Sequence, residues 1–154
     1  MSARILIVDD HDVVRQGIRT TMSRARPEWE VCGEAANGKE AIEAVAALRP
    51  DVVILDITMP VMSGLEAAPC IARLDPNCRV LIFTMHESQR LVADIRASGA
   101  HGYVQKSQAG RDLILAIDCL LAGGTFFGAQ DGAGPKEEKK PKPGISFRTA
   151  FCLA

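Results

Sequence analysis

The chain has 154 residues, of which 47% are hydrophobic and 24% charged, and its formal net charge is -1 at neutral pH. That length supports one core-forming domain and a short appendage, not two full domains. So even a charge balance gives no electrostatic basis for nucleic acid or an acidic membrane as the main partner, and no apolar run reaches the about 20 residues of a membrane span.

In chain order, "RILIV" (4–8) is a continuous apolar run, the pattern of a strand buried on both faces. It runs straight into Asp9 and Asp10. Val14, Ile18 and Met22 then recur at helical spacing. "WEVCGEA" (29–35) is a weaker strand, followed by a helical stripe of Ile42, Val45 and Leu48. "DVVILDI" (51–57) is a strong strand. The helix expected in "SGLEAAPCIARL" (63–74) contains Pro69, which removes a hydrogen bond and should kink the helix or shift its start. "RVLIFT" (79–84) is the fourth strand. "ESQRLVADIRASG" (87–99) has a thin apolar stripe and reads as a mobile helix, and "HGYVQ" (101–105) is a short fifth strand. Leu113, Ile114, Ile117, Leu120 and Leu121 form the last stripe, and Gly99 and Gly123 stand where helices can end.

After Phe127 the composition shifts to Gly, Pro and charge. Residues 1–127 therefore read as one domain and 128–154 as a linker-like or disordered tail. The terminal "ISFRTAFCLA" is too short to fold alone. The five cysteines are odd in number and form no CxxC, so they read as reduced thiols of a cytoplasmic protein. The N-terminus enters a strand directly and does not read as a signal peptide.

Five β–α units in succession predict an α/β fold, a five-stranded parallel sheet with helices on both faces. In the flavodoxin-like (βα)5 arrangement, doubly wound with strand order 2-1-3-4-5, ligands bind beyond the carboxyl ends of strands one and three. Asp9 and Asp10 end the first and Asp56 the third, so the three carboxylates should converge. Aspartate also caps helix N-termini, which suffices for Asp12; two more directly after a strand call for a cation. Converging carboxylates suit Mg²⁺. Thr84 ends the fourth strand with a hydroxyl and Lys106 follows the fifth with an ammonium, donors that fit phosphoryl oxygens. Taken alone, a strand-end Thr or Lys is usually structural. Asp56 could be a further metal ligand or the nucleophile that takes the phosphoryl group.

"VDDH" (8–11), "DVVILDITMPVMSGLE" (51–66), "VLIFTMH" (80–86) and "GYVQKS" (102–107) together resemble the receiver domain of two-component response regulators, over about residues 3 to 124. The likeness is to the NarL/FixJ-type subfamily, whose receiver usually precedes a helix-turn-helix domain. The resemblance implies that Asp56 accepts a phosphoryl group from a sensor histidine kinase. It implies Mg²⁺ held by Asp9, Asp10, Asp56 and the backbone carbonyl of Thr58, with Lys106 and Thr84 on the phosphoryl group. Thr84 and Tyr103 would form the switch, Met59 and Pro60 would shape the loop after Asp56, and Gly64 would permit the turn into the next helix. Pairing of two copies through exposed helix faces, and a downstream protein partner, follow from the same resemblance. Two departures stand out. Ser107 occupies a position where many receivers carry proline, often after a cis bond. No helix-turn-helix is recognisable after residue 127, so the chain reads as a stand-alone receiver or one cut short.

Three other readings compete. A phosphohydrolase of the haloacid dehalogenase type needs a second Asp two residues after the nucleophile, where Thr58 stands. A nucleotide or flavin module needs a Gly-rich loop after the first strand, where "DDHDVV" stands. A degenerate receiver, acting as an interaction module without phosphorylation, is opposed by the intact set of Asp9, Asp10, Asp56, Thr84 and Lys106. His86 falls near the site and could affect water access to it, whereas His11 and His101 read as surface or capping residues. Trp29 should cover the sheet edge. The basic residues of the tail (Lys136, Lys139, Lys140, Lys142 and Arg148) are partly offset by Glu137 and Glu138, so no DNA binding by this chain alone is expected.

Overall fold

The computed structural model describes residues 2–86 and 88–127; the tail expected over 128–154, with Cys152, lies outside them. Five strands, β1 (Arg4–Val8), β2 (Glu30–Ala35), β3 (Val52–Asp56), β4 (Arg79–Thr84) and β5 (Gly102–Gln105), alternate with helices α1 (Asp12–Ala25), α2 (Gly38–Leu48), α3 (Gly64–Leu74), α4 (Gln89–Ala97) and α5 (Ala109–Leu121). The sheet is parallel in order β2-β1-β3-β4-β5, the flavodoxin-like arrangement expected.

The continuous apolar runs are explained by the pleat, which sends successive side chains to opposite faces. Leu6, Val8, Val53, Leu55, Val80, Ile82 and Tyr103 pack against α2, α3 and α4 through Val45, Ile71 and Ile95. Ile5, Ile7, Val52, Ile54, Leu81, Phe83 and Val104 pack against α1 and α5 through Ile18, Met22, Leu113 and Ile117. Both faces are covered, so alternation of polar and apolar residues has no place in the central strands. Trp29 joins the α1/α5 layer, with the Arg26 guanidinium 5.7 Å from its ring centre.

Pro69 does not shift the start of α3. Ser63 and Glu66 form a reciprocal capping box, Ser63 Oγ accepting from the Glu66 N–H and Glu66 Oε1 from the Ser63 N–H, and the helix runs on through Pro69. Two satisfied N-terminal donors and the burial of Ala67, Ala68 and Ile71 offset the one lost bond. The helix expected within 87–99 is α4, Gln89–Ala97, anchored by Ile95. His101 is not a surface residue either. Its half-buried ring accepts a hydrogen bond at Nδ1 from the Val80 N–H (3.0 Å), so it ties β5 to β4.

After α5 the chain turns at Gly123 and comes back beside β5. Phe126 forms an isolated parallel bridge with Gly102. The Tyr103 N–H donates to the Phe126 carbonyl (2.8 Å) and the Phe126 N–H to the His101 carbonyl (3.0 Å). A Cβ on Gly102 would lie 2.3 Å from that Phe126 carbonyl, so a side chain there would exclude the strap.

Candidate functional site

The carboxyl ends of β1 and β3 lie side by side, Val8 opposite Leu55, and the residues after each are acidic. Asp9 is 1% exposed and Asp56 5%, while Asp10 is exposed beside them. Ligand atoms of Asp9, Asp10, His11 and Asp56 all fall within 4.8 Å of one another, so the expected convergence of the three carboxylates is found. Thr58 lies two residues beyond Asp56 in the exposed β3–α3 loop.

That loop must close tightly to bring α3 back. The Gly64 N–H donates to the Ile57 carbonyl (2.9 Å), and a Cβ on Gly64 would meet the Asp56 carbonyl at 2.0 Å. Only glycine leaves room for this approach.

The charges are compensated from β5. Lys106 Nζ lies 2.8 Å from Asp9 Oδ2 and 3.3 Å from Asp56 Oδ1. Burial, and then the nearby Asp9 charge, raise the Asp56 carboxyl above the usual carboxylate value, against the pull of Lys106 and of the Ile57 N–H. Burial works against the Lys106 ammonium, but its hydrogen bond to Asp9 and the charges of Asp56 and Asp9 outweigh that and raise it. Burial, with the Asp9 charge added to it, makes Asp56 reluctant to ionise, which leaves the site short of positive charge. Hard oxygen donors from three carboxylates fit a divalent cation of the Mg²⁺ kind.

Thr84 is 1% exposed at the end of β4, and its Oγ1 accepts a hydrogen bond from the His86 N–H (3.1 Å). Tyr103 is buried on the α4 face of β5, with Phe127 beside it at 6.4 Å between ring centres. The Lys106–Ser107 bond is trans, since no cis peptide bond occurs among the described residues.

Two residues of this site escaped the sequence reading. His11, expected at the surface or as a cap, occupies the N-cap position of α1 without a side-chain cap bond, and its Nδ1 lies 3.1 Å from both Asp9 Oδ1 and Asp10 Oδ1. Its place directly after the acidic pair was the available signal. Arg15, one helical turn on, donates to the Asp9 carbonyl; an arginine on a charged helix face gives no such signal. His86 is exposed.

A parallel α/β sheet with an acidic cluster and a lysine at its switch point fits the class of phosphoryl-handling proteins. The chain belongs to the response regulator receiver domain family, which it matches over residues 5–118, and so to the proteins of two-component systems. It is 36% identical over 121 residues to the nitrate/nitrite response regulator protein NarL of Escherichia coli, covering 79% of this chain and 56% of that one. It is 34% identical to the DNA-binding transcriptional activator DevR/DosR of Mycobacterium tuberculosis, over 97% of this chain and 72% of that one. Among solved structures, a LuxR-family two-component response regulator from Aurantimonas sp. SI85-9A1 matches with a TM-score of 0.80 and 38% identity, covering 86% of this chain and 94% of that one. The chain spans about half the length of the first curated relatives that it matches. Among the described residues no helix is long and apolar enough to cross a membrane.

Proposed function

We propose that this chain is a phosphoacceptor that takes a phosphoryl group from a sensor histidine kinase onto Asp56 and passes the signal on through protein contacts. The observation that carries the reading is the placement of Asp56 at the end of β3, in one cluster with Asp9 and Asp10 and 3.3 Å from the Lys106 ammonium. In the transfer an Asp56 carboxylate oxygen forms the new bond to phosphorus. The bond from phosphorus to the kinase histidine nitrogen breaks, and its electron pair stays with that nitrogen. Lys106 supplies positive charge to the phosphoryl oxygens and the Thr84 hydroxyl donates to one of them. Asp9, Asp10, Asp56 and the Thr58 carbonyl are the residues for Mg²⁺, which neutralises phosphoryl charge when bound.

Thr84 and Tyr103 act as the switch, because they lie on adjacent strands whose register pairs Thr84 with Gln105 and Ile82 with Tyr103. A hydroxyl drawn toward the phosphoryl group leaves space for the ring to turn. The output is a second copy docked on an exposed helix face, or a downstream protein. DNA binding is named for the DevR/DosR relative; for this chain we assign output through protein contacts, in the cytoplasm with its kinase. The protein assists its own phosphorylation and dephosphorylation and is otherwise no enzyme.

The test is labelling by a small phosphodonor, acetyl phosphate, with Mg²⁺. One phosphate per chain is expected on wild type and none on Asp56→Asn. Labelling of that variant at full stoichiometry overturns the assignment of Asp56. No labelling of wild type favours the degenerate receiver, an interaction module that works without phosphate.

A further inference from the structure

We propose that Arg15 is a positioning residue for the cation site, holding the Asp9–Asp10 turn in place by fastening its backbone to β2. This rests on the phosphoacceptor reading above. The Arg15 side chain is 14% exposed, and each of its three guanidinium nitrogens has a partner. Nη1 donates to the Asp9 carbonyl, Nη2 pairs with Asp12 Oδ1, and Nε lies 2.6 Å from Glu34 Oε1. Glu34, on β2, is held on its other oxygen by Arg19. Burial works against the Glu34 carboxylate, yet the hydrogen bonds from Arg19 and Arg15 outweigh that and hold its carboxyl below the usual range.

The consequence follows from what each partner does. Asp9 and Asp10 sit in a turn between β1 and α1, with one strand hydrogen bond, from the Asp9 N–H to the Ala35 carbonyl (3.1 Å), steadying it from below. Arg15 adds a second anchor on the next peptide, at the Asp9 carbonyl, and ties the start of α1 through Asp12. Three acceptors from the turn, the helix start and the edge strand meet one planar guanidinium. Lysine, a point charge, cannot reproduce that fork. Groups that orient ligands from behind typically change metal affinity by about 10–100-fold when removed.

The sign of the effect separates positioning from charge. Removing a cation near a cation site should tighten Mg²⁺ binding by Coulomb's law; loss of positioning should weaken it. The experiment titrates the full chain with Mg²⁺ and follows the amide resonances of residues 9–12 and 57, alongside the rate of phosphorylation by acetyl phosphate. For Arg15→Ala the expected result is Mg²⁺ affinity weaker by roughly tenfold, with Arg15→Lys intermediate and Arg19→Ala close to wild type. Arg15→Ala binding Mg²⁺ as tightly as wild type, or more tightly, overturns the proposal. Should that variant not fold, an unchanged affinity in Arg15→Lys overturns it instead. Wild type that binds no Mg²⁺ at all overturns the functional reading and this assignment together, whereas equal binding by wild type and variant overturns this assignment alone.

Discussion

The Lys106 ammonium lies closer to Asp9, at 2.8 Å, than to Asp56, at 3.3 Å, so one cation from the end of β5 bridges the ends of β1 and β3. Both carboxylates are buried and the lysine nearly so. Removing one member of such a group leaves a buried charge without its partner. Lys106→Met should therefore lower stability at neutral pH by roughly 3 kcal/mol, and Mg²⁺ should restore part of that loss by mass action. Urea unfolding with and without Mg²⁺ measures both. Equal stability of variant and wild type without Mg²⁺ would show that the ammonium is not what holds the carboxylates together.

His101 supplies the pH dependence. Burial, and then the Arg79 charge, hold its imidazole below the ordinary value of 6.5, and its Nδ1 accepts from the Val80 N–H. A proton on that nitrogen would set donor against donor. Because the folded value is depressed, the unfolded chain takes up the proton first as pH falls. The contribution to stability is complete above 6.5 and is lost as pH drops from there through the folded value. His101→Asn, which keeps an acceptor without the titration, should flatten the stability profile in that window. An unchanged slope between wild type and variant would rule out His101 as its source.

Val61 has φ +70° and is 78% exposed in the loop between β3 and α3. A β-branched residue is strained in this left-handed region, at about 1–3 kcal/mol, whereas asparagine adopts it far more readily. Val61→Asn should raise the midpoint of thermal unfolding by an amount corresponding to about 1 kcal/mol. A lower midpoint would mean that the Val61 side chain makes a contact worth more than the strain.

How far the sequence carried the reading differs between strands and side chains. "RILIV" and "RVLIFT" matched β1 and β4 to the residue, because a strand buried on both faces has no polar interruption to blur its ends. The convergence of Asp9, Asp10, Asp56 and Lys106 was legible for a related reason: each stands at or just beyond the end of a strand, so topology alone brings them together. His11, Arg15 and His101 were not legible. What they do depends on which backbone atom or carboxylate lies opposite, and hydrophobic periodicity holds no record of that. Pro69 did not move the start of α3, because the one lost hydrogen bond was outweighed by the capping box at Ser63 and Glu66 and by the buried face of the helix.

The last prediction concerns the strap that follows α5. Phe127 is buried, with its ring beside Tyr103 and the Arg96 guanidinium of α4 lying 4.0 Å from its centre. The strap also makes two backbone hydrogen bonds with β5 and its approach, from the Tyr103 N–H and to the His101 carbonyl. A pair of edge hydrogen bonds contributes little net stability, about 1 kcal/mol each, so packing of the buried Phe127 ring, with the partly buried Phe126 on the other face, is what keeps the strap against β5. Phe127→Ala removes the ring and should cost about 3 kcal/mol. More specifically, the amides of Tyr103 and Phe126 should then exchange with solvent far faster, while those in the middle of β1 and β3 slow or quicken only with global stability. Phe127→Leu, which keeps most of the apolar area, should largely preserve protection at both. Amide exchange read residue by residue makes the comparison. Full protection of the Tyr103 amide in Phe127→Ala would mean that the strap is held without its ring.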